Sequence, residues 1–179
     1  MFKVAFVGHS QVPQDLEEEL SGVEIRTFRV PGARADNFDQ DSRLTPVLDW
    51  KHDFSVLWLG SNDIDDDTNP SWLAETILDV AENIQESCES EVVIVEMENR
   101  TFTDRDNITA EEYRKIKRSV NRKLQKDKRF LSINFGGTMF TLDSDGVHFE
   151  ASAQELIEQK LLQNIIDAKA RWEQGSSSE

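Results

Sequence analysis

Four short stretches carry the side chains of this chain that could do covalent chemistry. Gly8-His9-Ser10 sets a hydroxyl beside an imidazole, and Gly60-Ser61-Asn62-Asp63 offers a carboxamide beside a carboxylate. Pro31-Gly32-Ala33-Arg34 supplies a glycine amide and a guanidinium, and Asp145-Gly146-Val147-His148 places an acid and an imidazole on one turn. A hydroxyl nucleophile, a base to take its proton, an acid to orient that base, and N–H donors for an oxyanion are the groups that acyl transfer requires. They are far apart in sequence, so the question is what would bring them together.

Apolar runs with strand character recur at Lys3–Val7, Val23–Val30, Phe54–Leu59, Glu91–Met97 and Phe130–Phe135. Helical spacing lies between them. Trp72, Leu73, Thr76, Ile77, Val80, Ala81, Ile84 and Cys88 form one face. Tyr113, Ile116, Val120 and Leu124 form another, opened by the capping box Thr109-Ala-Glu-Glu112. A last helix opens near Ser152, carries Leu156, Leu161, Ile165, Ile166 and Trp172, and is expected to end at Gly175. Pro13 and the acidic run after it predict a helix directly behind Ser10. Strands alternating with helices specify βαβ units and a parallel sheet covered on both faces, whose ligands bind beyond the carboxyl ends of the strands. The first three reactive stretches each follow a strand, and Asp145–His148 precedes the last helix.

With 179 residues the chain reads as one domain over 1–174, with 175–179 a tail or linker. The balance of 20 basic against 35 acidic residues gives a net charge of −15. That argues against broad binding to a phosphate backbone, so no nucleic-acid partner is expected. The basic run Arg114–Arg129 reads as a solvated helix face. The lone cysteine, Cys88, excludes an intramolecular disulfide and reads as buried. No apolar leader precedes the first strand, and no run approaches the ~20 residues of a membrane span, so a cytoplasmic location is expected.

The four stretches, in this order, resemble the blocks of the SGNH hydrolase (GDSL esterase/lipase) superfamily, over nearly the whole chain. Ser10 stands in a Gly-His-Ser variant of the first block, Gly32 in the second, Asn62 in the Gly-x-Asn-Asp third, and Asp145 and His148 in the Asp-x-x-His fourth. The resemblance implies an α/β fold, a three-layer α/β/α flavodoxin-like sandwich with a five-stranded parallel sheet of order 2-1-3-4-5. It implies an esterase in which Ser10 attacks the acyl carbonyl, His148 takes its proton, and Asp145 orients the imidazole. The amides of Ser10 and Gly32 and the Asn62 side chain would serve the oxyanion. The substrate would be a small-molecule, carbohydrate or lipid ester with a short acyl group, since no long insertion is present to build a deep acyl tunnel. Asp36–Leu48 is the stretch with room for a substrate loop. No cofactor is implied.

His9 replaces the family's usual Asp. It reads either as a second base for Ser10 or as an inward-facing structural side chain, and the alternation of a strand exit favours the latter. The acids Asp63, Asp65, Asp66 and Asp67 lack the glycine and terminal glutamate of a calcium loop, so no metal is expected. They are expected to give the site mouth a negative potential, with Asp63 and Arg34 as candidate substrate contacts. His52 reads as a surface residue, and Trp72 and Trp172 as core or helix-packing aromatics. The rival to an esterase is a catalytically silent module of the same fold that recruits protein or RNA.

Overall fold

The computed structural model describes residues 1–13, 16, 20–38, 42–101, 107–135 and 142–176. Strands Phe2–Gly8 (β1), Val23–Arg29 (β2), Phe54–Trp58 (β3), Glu91–Val95 (β4) and Leu131–Ile133 (β5) form one sheet. Every pairing is parallel, as the strand–helix alternation predicts, and the order is β2-β1-β3-β4-β5, as the family resemblance implies. The helices are Thr45–Asp49 (α1), Pro70–Cys88 (α2), Ala110–Lys126 (α3) and Ala151–Ser176 (α4).

The two faces of β1 belong to two cores. Ala5 and Val7 point into an apolar cluster with Leu57, Ile94 and the inner faces of α2 and α3, among them Ile77, Ile84, Val120 and Leu124. Val4 and Phe6 point the other way, onto Val56, Trp58, Val93 and the α4 residues Ile157, Leu161 and Ile165. Successive side chains of a strand alternate faces, so a central strand buried on both sides must be apolar almost throughout. Asn69 caps α2 by accepting the Ser71 and Trp72 amides at 2.9 and 3.1 Å, with Pro70 as its first helical residue. The predicted capping box opens α3, with the Glu112 carboxylate accepting the Thr109 amide at 2.8 Å.

Several sequence expectations are corrected. His52 is buried at 4% exposure; it stacks on Trp50 and bridges the Trp50 carbonyl to the Ser55 hydroxyl, because the chain enters β3 beneath Trp50. Trp72 is 49% exposed, since the α2 stripe begins one residue later at Leu73. On α4 the buried stripe is Ala153, Ile157, Leu161, Ile165 and Ala168, which leaves Leu156 and Ile166 in solvent. Trp172 is partly exposed but packs on the Phe2 ring at 5.5 Å. Gly175 does not stop α4, which continues to Ser176. Cys88 is buried, as expected. No described helix is long and apolar enough to cross a membrane. The helix predicted behind Ser10 falls largely on residues outside the described ones, as do 39–41 of the expected substrate loop and 177–179 of the tail.

Candidate active site

Register explains why three of the four stretches share one rim. Gly8 at the end of β1 lies opposite Arg29 on β2 and Trp58 on β3. Ser10, Gly32 and Asn62 follow that aligned row by only two, three and four residues. The β1 exit is possible because residue 8 is glycine: a Cβ there would sit 2.0 Å from the Trp58 carbonyl oxygen. Gly32 occupies an exposed turn at φ +73°, the left-handed region that glycine enters without strain.

Ser10 Oγ lies 3.1 Å from His148 Nε2, and His148 Nδ1 lies 2.6 Å from Asp145 Oδ2. A carboxylate only accepts, so the proton rests on Nδ1 and the lone pair of Nε2 faces the serine. Asp145 Oδ1 accepts the Val147 and His148 amides at 2.8 and 2.9 Å. The hydrogen bond from His148, and then these two amides, hold the Asp145 carboxyl down at about 2. The turn that carries both residues is tied to its surroundings. Gln11 Nε2 donates to the Val147 carbonyl at 2.8 Å, and the Thr101 amide donates to the Gly146 carbonyl at 2.9 Å. Arg29 grips the other partner, donating Nε and Nη2 to the Ser10 carbonyl at 3.1 and 2.9 Å.

The third stretch clasps the second. Asn62 Nδ2 donates to the Ala33 carbonyl at 2.9 Å, and Asp63 accepts the Ala35 and Asp36 amides at 2.9 and 3.0 Å. Asp63 is therefore buried at 2% exposure, which corrects its expected place as a substrate contact at the site mouth. Burial outweighs the two amides and pushes its carboxyl up to about 6. Arg34 is committed to Asp36 through a forked pair at 3.0 and 2.6 Å. Asp65 accepts from Thr68, and Asp66 accepts the Asn107 carboxamide, so the acidic run is in part internally bonded. Among the described residues no group of three or more His, Cys, Asp or Glu side chains could hold a metal ion.

His9 faces inward and is fully buried. Its Nδ1 accepts the Gln11 amide at 3.2 Å, which leaves the proton on Nε2 for the Ser61 hydroxyl at 3.0 Å. Burial is the main cause that lowers its pKa to about 4. An unfolded His9 binds a proton near 6.5 and the folded one only near 4, so acidification across that interval destabilises the fold. Asp63 works in the opposite direction: folded, it binds its proton near 6 rather than 3.8, so acidification across that lower interval stabilises. The two shifts therefore oppose one another as the pH falls. Removing the ring in His9→Asn should therefore change the pH dependence. Between pH 6.5 and pH 4 the variant should gain roughly 3 kcal/mol relative to wild type. Urea unfolding at the two pH values measures this, and parallel profiles for the two proteins would refute it.

Sequence reasoning missed Arg29, Ser61, Glu98 and Arg100. Arg29 had one usable signal, its place as the last residue of an edge strand. Beside the Ser10–His148 pair lies a cavity of about 220 Å³ lined by Gln11, Arg29, Asp143, Gln154 and Glu158.

No family model matches the sequence, and no curated protein matches it. Solved structures do. A lipase/acylhydrolase from Enterococcus faecalis superposes with TM-score 0.67 at 16% identity, over 92% of this chain and 95% of that one. A member of the lipolytic protein G-D-S-L family from Veillonella parvula gives 0.67 at 16%, over 91% and 97%. An acetyl xylan esterase gives 0.66 at 16%, over 92% and 100%. With these neighbours, the strand order and the order of the four stretches, the chain has the fold of the SGNH/GDSL hydrolases.

Proposed function

We propose that the chain is a serine esterase that hydrolyses short-chain, acetyl-type O-esters through an acyl-enzyme on Ser10. The observation that carries this reading is the Ser10–His148–Asp145 relay, with contacts of 3.1 and 2.6 Å. His148 Nε2 takes the Ser10 proton as Oγ bonds to the acyl carbon, and the carbonyl oxygen becomes an oxyanion. The amides of Ser10 and Gly32 and the Asn62 carboxamide receive that charge. Collapse breaks the bond to the alcohol oxygen, which leaves with the proton from His148. Water then enters, gives a proton to His148, attacks the acyl-Ser10 carbonyl and releases the acid as Ser10 recovers its proton. Asp145, ionised at every pH above about 2, keeps the imidazole in the required tautomer throughout.

Solved neighbours named as an acylhydrolase and an acetyl xylan esterase support ester hydrolysis as the reaction class. Polar side chains around the cavity beside Ser10, among them Gln11, Arg29 and Gln154, suit a hydroxylated alcohol better than an alkyl one. A ladder of p-nitrophenyl esters from acetate to octanoate tests the acyl preference. The expected kcat/KM is highest for acetate and falls with length; a maximum at octanoate overturns the short-chain assignment. Absence of turnover on every ester favours the silent-module reading.

A further inference from the structure

Glu98 and Arg100, just beyond β4, are charged side chains that the proposed chemistry leaves without a role, and they are buried at 6% and 8% exposure. Arg100 Nη2 donates to Glu98 Oε1 at 3.3 Å and to Asn62 Oδ1 at 3.1 Å. Trp58 Nε1 donates to the other Glu98 oxygen at 3.1 Å, and the Tyr113 hydroxyl donates to the Glu98 backbone carbonyl at 3.2 Å. Burial alone would raise the Glu98 carboxyl. The neighbouring His9 and Arg100, its backbone amide and the Ser61 hydroxyl reverse that and hold it below the usual range. Burying two ions is costly even when they are paired, and well-packed apolar residues stabilise as well or better. A buried pair next to a reactive carboxamide therefore calls for a reason other than stability.

Orientation supplies one. The two ends of a carboxamide are alike in size and opposite in chemistry. Arg100 can only donate and sits on Oδ1; the Ala33 carbonyl can only accept and sits on Nδ2 at 2.9 Å. A flipped Asn62 would set donor against donor and acceptor against acceptor. We infer that Arg100, anchored by Glu98, is a positioning residue that fixes the Asn62 carboxamide with its NH₂ edge toward the oxyanion. The oxyanion part of this inference rests on the esterase reading; the orientation of the side chain does not.

The test compares Arg100→Met, Asn62→Ala and their combination. A charge-neutral Glu98→Gln/Arg100→Met variant guards against misfolding from an orphaned Glu98. On p-nitrophenyl acetate, Asn62→Ala should cost about 10²–10³ in kcat. The Arg100 substitution should cost roughly 10–100-fold in kcat with KM nearly unchanged, since misplacing a group costs less than deleting it. Placed on Asn62→Ala, the same substitution should cost less than about twofold more. Equal fold losses in both backgrounds overturn the inference, because Arg100 would then act by another route. A second readout needs no activity. The side-chain amide resonances of Asn62 should shift and exchange faster in both Arg100 variants, and unchanged resonances overturn it. Turnover that persists in Ser10→Ala would refute the acyl-enzyme on Ser10 while leaving this spectroscopic result to judge Arg100.

Discussion

Ser10→Ala is expected to abolish the proposed ester turnover, by at least about 10⁴-fold in kcat, and to leave the folded protein otherwise as it was. Both halves follow from the contacts of this residue. Its Oγ bonds His148, so truncation removes the nucleophile and nothing that holds an element in place. Its backbone carbonyl, gripped by the Arg29 guanidinium, is the same in alanine, so the turn keeps its anchor. Loss of a half-buried hydroxyl away from the core falls within about 0.5 kcal/mol of neutral. A fluorophosphonate is expected to add to the same atom, with Oγ bonding phosphorus as fluoride leaves and His148 takes the proton. Mass spectrometry of the treated protein should place one adduct on Ser10 and none in Ser10→Ala. An adduct on another residue would refute the mechanism.

His148→Ala should be nearly as damaging as the loss of Ser10, and His9→Ala should injure the fold instead of the chemistry. The two imidazoles differ in burial and in partners. His148 is 45% exposed and its Nε2 faces Ser10 Oγ. His9 has no exposed surface, and both ring nitrogens are engaged, with Gln11 and Ser61. Truncating it opens a hole against Trp58, whose ring lies 5.7 Å away, and takes away the partner of the Gln11 amide and one partner of the Ser61 hydroxyl. A buried group left orphaned costs about 1–3 kcal/mol. The expected pattern is a lower Tm with kcat within about tenfold of wild type for His9→Ala, and wild-type Tm with kcat down about 10³-fold or more for His148→Ala. The reverse pattern would transfer the role of base to His9.

The sheet was legible because its signals are local: apolar runs of strand length, glycines at their exits, a capping box before α3. Three of the four candidate stretches were legible because each sits where such a run ends, and Asp145–His148 because it stands just before the last helix. Contacts between distant polar groups had no local signature. Asn62 meets Arg100 and Trp58 meets Glu98 across 38 and 40 residues, and nothing in the intervening sequence marks either pair. Asp63 was misplaced for the same reason: the acids Asp65, Asp66 and Asp67 follow it closely in sequence, whereas its partners in space are backbone amides of the loop after β2. On α4, Leu156 and Ile166 are apolar and one position off the buried stripe, so composition alone could not set the rotation of the helix.

The relay has two halves of very different chain topology. Asp145 and His148 are separated by three residues, and every carboxylate contact closes within one turn. Ser10 and His148 are separated by 138. The entropy of closing so long a loop is offset only once the sheet has assembled and α4 has docked on it, whereas the short turn forms at little cost. The expected order is therefore that Asp145 and His148 come together as a local unit and Ser10 joins them at the end of folding. On the proposed reading, recovery of ester turnover during refolding should be a clock for the docking of the two chain ends, and it should lag behind any probe that reports helix content.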